Sequence, residues 1–131
     1  MTNNEMMKNG KYVIGDPCYI IPRESYKRFL EAFWAAENKN ERGITVVKYE
    51  GHNCFVSDTF GGDGIFPSSI GFEFEVDTGL IAAIPVEVIE IIGQREDRKE
   101  DCITVYCDDD APVRYDKGTI SFANLKIWTV Q

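Results

Sequence analysis

The stretch GFEFEVDTGLIAAI, residues 71–84, contains two different strand patterns separated by a turn. In its first half every second residue (Phe72, Phe74 and Val76) is apolar, and the residues between them are acidic. Such alternation is typical of a strand with one buried and one solvent-facing side. Residues 80–84 are apolar without interruption, which predicts a strand at the centre of a sheet. The stretch therefore indicates a domain dominated by β-structure.

Outward from this stretch the sequence predicts further short strands and one helix. A hairpin is expected where residues 44–49 and 54–57 flank Glu50-Gly51-His52-Asn53. Pro85 interrupts the apolar run, and residues 86–92 are expected to resume it as a strand, followed by a charged loop over 94–101. The remaining strands are expected at residues 11–14, 102–107, 119–122 and 126–130.

The helix is predicted over residues 22–38, where apolar side chains recur at spacings of three and four. This stripe consists of Tyr26, Phe29, Leu30, Phe33 and Trp34. The fold class is therefore expected to be α+β and β-rich: a strongly curved, mostly antiparallel sheet or small barrel of about seven to nine short strands, with one helix packed on it. Residues 1–10 are expected to form a flexible N-terminal arm, and residues 11–131 a single globular domain.

The charge of the chain is concentrated in one region. Residues 50–110 carry 15 acidic and three basic residues, and the formal net charge of the whole chain is −8. Phosphate contacts require a basic surface, so this pattern argues against nucleic acid as a direct ligand. It permits a protein partner with a basic surface, a cation or a small-molecule ligand, and the alternative is a solvated surface that keeps a small protein soluble.

The sequence also indicates where the protein acts. It has neither a signal peptide nor an apolar run of about 18 residues, so a soluble, cytoplasmic protein with no membrane partner is expected. Cys18, Cys54, Cys102 and Cys107 lack the CxxC spacing and are expected to be free, mostly buried thiols. The oligomeric state stays open.

Three turns of similar composition supply the candidate site. They are GDPCY at residues 15–19, GGDGIF at 61–66 and VDTGL at 76–80. If the turns converge, their carboxylates and glycines would form an acidic pocket for a hydroxyl-rich or cationic ligand, edged by aromatic side chains. Ordinary turn chemistry is the alternative. The candidate ligand-binding residues are Asp16, Tyr19, Phe60, Gly62, Asp63, Gly64, Phe66, Asp77 and Thr78.

Residues typical of catalytic or metal sites are otherwise scarce in this sequence. His52 is the sole histidine and lies at a hairpin, and the cysteines lack the ligand spacing of a zinc site. Residues 108–110 are three consecutive aspartates, which are more typical of a solvated turn than of a metal site. The sequence predicts no cofactor, no metal and no catalytic residue. If there is catalysis, Asp16 and Asp63 would have to act as an acid/base pair.

The same three turn motifs carry a resemblance to known sequences. Over about residues 11–92, the combination of GDPCY, GDGIF and VDTGLIA resembles small proteins of bacteriophages and related bacterial loci. The resemblance implies a phage or prophage accessory protein that acts in the host cytoplasm, and it transfers no catalytic residues. Small acidic proteins of this kind often inhibit or divert host factors.

These observations leave three functions open. The first is a non-enzymatic binding protein that engages or inhibits a host factor with a basic surface, or that sequesters a small ligand. The second is a carboxylate-dependent enzyme acting on a nucleotide or sugar derivative, and the third is a self-associating structural component. The scarcity of catalytic residues favours the binding protein.

Overall fold

The computed structural model describes residues 4–36 and 43–130, which form eleven strands, three α-helices and one 3-10 helix. The strands are β1 (Asn4–Met7), β2 (Gly10–Gly15), β3 (Ile44–Tyr49), β4 (His52–Asp58), β5 (Gly64–Phe66), β6 (Phe74–Val76), β7 (Leu80–Pro85), β8 (Ile103–Cys107), β9 (Ala111–Asp116), β10 (Thr119–Phe122) and β11 (Leu125–Trp128). The helices are α1 (Pro17–Ile20), α2 (Arg23–Trp34) and α3 (Val86–Ile92), and the 3-10 helix is Glu96–Asp101. The predicted α+β, β-rich class is confirmed.

The larger sheet is antiparallel, with the strand order β3-β4-β7-β2-β8. β7 lies at its centre and is buried after Leu80, which confirms the central strand predicted for residues 80–84. The predicted hairpin is present, since β3 and β4 pair along their length, but its second strand begins at His52 and not after Asn53. Glu50 (φ 51°) and Gly51 (φ 78°) form its two-residue turn, and the two positive φ angles are those that a tight hairpin requires.

The second sheet, with the order β1-β9-β10-β11, corrects the predicted N-terminal arm of residues 1–10. Asn4–Met7 instead forms an antiparallel pair with β9, in which Met7 lies opposite Ala111. Met7 is completely buried, so the segment is anchored by the core. Residues 1–3 lie outside the described residues.

A third, two-stranded sheet pairs β5 with β6. The strand predicted across residues 71–76 is shorter in the structure and is limited to Phe74–Val76. The predicted alternation is nevertheless present in it, since Phe74 and Val76 are buried and Glu75 is exposed.

The helices require the largest corrections. Residues 86–92, predicted as a strand, form α3; Pro85 lies at its N-cap, and apolar side chains three apart (Val86, Ile89 and Ile92) pack on the core. The charged loop expected over 94–101 contains the 3-10 helix, and α1 was not predicted.

The helix predicted over 22–38 is present as Arg23–Trp34, and Asn38 lies outside the described residues. Its apolar stripe is only partly buried. Phe29 and Phe33 face the core, whereas Trp34 is 64% exposed.

Two hydrophobic clusters give the fold three layers. One cluster lies between the larger sheet and the helices and includes Phe29 and Val88. The other joins the sheets and includes Ile14, Phe74 and Ile127. The larger sheet is therefore covered by helices on one face and by strands on the other. The described residues form open sheets and not the closed barrel that was one of the predicted alternatives, and they contain four helices instead of one.

Candidate functional site

Asp16, the first candidate carboxylate, is completely buried and accepts four hydrogen bonds. Its Oδ1 atom accepts from the N–H of Cys18 (2.9 Å) and from the hydroxyl of Thr78 (2.8 Å). Its Oδ2 atom accepts from the N–H groups of Asp77 (2.7 Å) and Thr78 (2.9 Å). A buried carboxylate is stabilised by such a set of donors. Asp16 thus caps α1 and holds the β6–β7 turn, and its oxygens face these donors, not solvent.

Asp77, the second candidate, is exposed and accepts a short hydrogen bond from the Tyr19 hydroxyl. The Tyr19 side chain is only 1% exposed, and burial together with the Asp77 contact raises the pKa of its phenol. The guanidinium of Arg98 lies 3.7 Å from the centroid of the Tyr19 ring and donates to Asp101 at 2.6 Å. Tyr19 therefore links the Asp77 turn to the 3-10 helix.

The turn that carries Asp63 adjoins the Asp77 turn. The N–H of Thr59 donates to the carbonyl of Gly79 (3.0 Å), and the Thr59 hydroxyl donates to the carbonyl of Gly62. A Cβ atom added to Gly79 would lie 3.7 Å from the Cα atom of Gly62 and 4.0 Å from Oδ1 of Asp63. All three predicted turns consequently meet on one side of the molecule.

The three aromatic side chains expected to edge a pocket between these turns lie in different surroundings. Tyr19 and Phe66 are buried, and the Phe66 ring packs against Gly64, where an added Cβ would lie 3.1 Å from it. Phe60 is 49% exposed and packs beside Gly118. Four cavities of the described residues, of 270–560 Å³, are lined by other side chains. The three turns therefore form a packed junction.

The thiols are poorly suited to nucleophilic chemistry. Burial, followed by the nearby Asp16 carboxylate, raises the pKa of Cys18 to about 12. Burial alone raises the pKa of Cys54 to about 12. Burial and then Asp101 raise the pKa of Cys102 to about 12. A thiol with such a pKa carries little thiolate at neutral pH, and the thiolate is the nucleophile.

The described residues also lack the features of a prepared metal or acid–base centre. His52 begins β4, is half-buried and faces a cavity of about 270 Å³ that also contacts Lys48 and Glu87. Within residues 4–36 and 43–130, no three His, Cys, Asp or Glu side chains are arranged to hold a metal ion. In the same ranges every buried side-chain nitrogen or oxygen has a hydrogen-bond partner.

A cavity of about 480 Å³ lies beside β8, away from the predicted turns. Two exposed apolar side chains, Tyr106 (64% exposed) and Ile70 (53%), border it. The other lining residues come from four segments: Met7, Val105, Cys107, Asp108, Asp109, Ala111, Phe122, Ala123, Asn124 and Leu125.

The acidic residues next to this cavity differ in their contacts. Asp110 accepts from the N–H of Asn9 (3.1 Å) and from the Nζ atom of Lys8 (3.5 Å). Asp108 and Asp109 are exposed and form no ion pair with any residue that the structure describes. The sequence signal for this place is an uncharged strand with acidic residues on both sides; the strand was predicted over residues 102–107, and residues 108–110 were interpreted only as a solvated turn.

No protein-family model matches this sequence, and no curated protein or solved structure matches it either. Among the helices of residues 4–36 and 43–130, none has both the length and the apolar character needed to cross a membrane.

Proposed function

We propose that this chain is a small, acidic, non-enzymatic binding protein that engages a basic surface of a protein partner. By the resemblance of its turn motifs, it is a phage-type accessory protein that acts on a host factor in the host cytoplasm. The observation that carries the proposal is the pair of exposed carboxylates, Asp108 and Asp109, in the lining of a cavity of about 480 Å³ whose other lining residues are mostly apolar. Apolar contacts surrounded by unpaired charge are typical of protein interaction sites.

The placement of two groups that catalysis could have used supports a binder over an enzyme. Asp16, one of the two carboxylates of the hypothetical acid/base pair, is enclosed by four hydrogen bonds within the fold. The pKa of Cys18 is raised to about 12 by burial and by Asp16. A general base or nucleophile must be within reach of a substrate and must have a pKa close to the working pH. These groups contribute to the fold instead.

The test compares two double variants that remove the same charge. Asp108→Asn/Asp109→Asn neutralises the carboxylates at the cavity, and Glu73→Gln/Glu90→Gln neutralises two exposed carboxylates of the same acidic region elsewhere. Tagged wild type and both variants are used to capture host proteins from a bacterial lysate at low and high salt. We expect wild type and the Glu73/Glu90 variant to retain the same protein at low salt, and the Asp108/Asp109 variant to lose it.

High salt should release the partner, because it screens exposed charges. Equal retention by the two variants, or retention that salt does not affect, would contradict the proposal. Turnover of a nucleotide or sugar derivative that Asp63→Asn abolishes would favour the carboxylate enzyme.

A further inference from the structure

β8 is an edge strand of the larger sheet. It pairs with β2 on one side, and no strand among the described residues pairs with its other side. Backbone N–H and C=O groups along such an edge are a ready template for another strand.

The pairing register shows which backbone groups of β8 face this edge. Tyr12 of β2 lies opposite Pro85, which has no N–H, so this is a non-hydrogen-bonded pair of the β2–β7 ladder. Because hydrogen-bonding directions alternate along a strand, the N–H and C=O of Tyr12 point towards Val105 of β8. The backbone groups of Thr104 and Tyr106 then point away from β2, towards the open edge.

The core of the protein also ends at this edge. Ile103 and Val105 pack against the cluster between the two sheets but are only partly buried. The cavity of about 480 Å³ runs alongside β8 and reaches Phe122 and Leu125 at the β10–β11 turn. A further strand placed next to β8 would direct every second side chain into this cavity and continue the core.

Acidic residues lie at both ends of β8. Glu100 precedes the strand and is exposed, and Asp108 and Asp109 follow it. Two copies of β8 paired antiparallel would bring Glu100 of one copy next to Asp108 and Asp109 of the other, and such like-charge pairs are destabilising. The charges therefore favour a partner with basic residues over a second copy of this chain.

We propose that β8 accepts an extended segment of the partner protein as an additional strand. The segment has apolar side chains at alternate positions, which fill the cavity, and lysine or arginine at its ends. Main-chain hydrogen bonds would supply affinity, and the alternate side chains and terminal charges would supply specificity. This inference rests on the proposed function and specifies its mode of recognition.

A synthetic peptide provides a defined probe. It consists of alternating valine and threonine with two lysines at each end and carries a fluorophore for polarisation measurements on the full chain. In an added strand, every second peptide N–H points towards β8 and the others point away. N-methylation of the amides that point towards β8 should weaken binding about tenfold or more, whereas methylation of the other amides should have little effect. Equal effects of the two methylated peptides, or no binding of the unmethylated one, would overturn the proposal.

A protein variant tests the same edge from the other side. Thr104→Pro removes a backbone N–H that does not take part in the pairing between β2 and β8. Thr104→Val is the matched control, because it keeps this N–H. We expect about tenfold weaker peptide binding for the proline variant and unchanged binding for the valine variant, with both folded by circular dichroism. Equal binding by the two variants would contradict strand addition.

The charge variants separate this inference from the proposed function. If Asp108→Asn/Asp109→Asn loses the lysate partner but peptide binding is insensitive to both amide methylation and Thr104→Pro, then a basic partner binds without adding a strand. Light scattering tests whether a second copy of this chain occupies the β8 edge instead. A dimer that Thr104→Pro dissociates would overturn the proposal.

Discussion

Asp16 and Thr78 are joined by two hydrogen bonds, although they are 62 residues apart in the sequence. The Thr78 hydroxyl lies 2.8 Å from Oδ1 of Asp16, and its N–H lies 2.9 Å from Oδ2. Asp16 follows the last residue of β2, and Thr78 lies in the turn between β6 and β7. The pair therefore ties the end of a central strand to the turn that leads into its neighbour.

Loss of the Asp16 charge should destabilise the fold. Asp16→Asn replaces one acceptor oxygen by an NH2 group that faces hydrogen-bond donors, so we expect a loss of about 2–4 kcal/mol in the free energy of unfolding, measured with urea. Asp63→Asn, at an exposed carboxylate, is the control and should cost about 0.5 kcal/mol or less. Similar unfolding midpoints for the two variants would show that Asp16 does not hold the junction.

The Tyr19–Asp77 contact should appear as a coupling energy. In a double-mutant cycle of Tyr19→Phe and Asp77→Ala, we expect about 1 kcal/mol of interaction, because the phenol donates to the carboxylate. A cycle that pairs Tyr19→Phe with Asp63→Ala serves as the control and should be additive within about 0.3 kcal/mol. Additivity in both cycles would be evidence against a stabilising hydrogen bond.

Gly118 should tolerate no side chain. Its φ is +94°, and an added Cβ would lie 2.0 Å from Cγ2 of Val130 and 2.9 Å from Cβ of Phe60. Gly51 also has a positive φ, +78°, but an added Cβ would meet nothing within 4 Å. We expect Gly51→Ala to cost about 1 kcal/mol through backbone strain alone, and Gly118→Ala to cost about 2–4 kcal/mol because a clash is added. Thermal unfolding of the two variants measures this difference, and equal costs would argue against the clash.

Stability should fall at alkaline pH. The pKa of Cys54 is raised by burial from 9.0 to about 12, so the folded state favours the protonated thiol. The resulting stabilisation is fully present below pH 9.0, the unfolded value, and is lost as the pH rises towards about 12. The urea midpoint should therefore decline above about pH 9, and Cys54→Ala should show a shallower decline than wild type. Parallel declines would assign the alkaline sensitivity to other groups.

Local patterns predicted much of the fold. The alternation in residues 71–76, the apolar run of β7 and the Glu50-Gly51 turn each reflect the residues' own periodicity or backbone preference. The same reasoning was wrong for residues 86–92, because a short run of β-branched residues fits a strand and a buried helix equally well. The strand Asn4–Met7 has no local sequence signal, because its partner β9 lies about a hundred residues away in the sequence.

By itself, the sequence determined which residues make turns and where acidic charge is concentrated, because turn preference and charge belong to the residues themselves. Only the tertiary structure decided what those residues do. Asp16 is a buried anchor because the fold brings Thr78 to it, and Asp108 and Asp109 line the cavity beside β8 because the residues around that strand come together at the sheet edge. Contacts between distant segments depend on strand order, and strand order is set by the packing of the whole core.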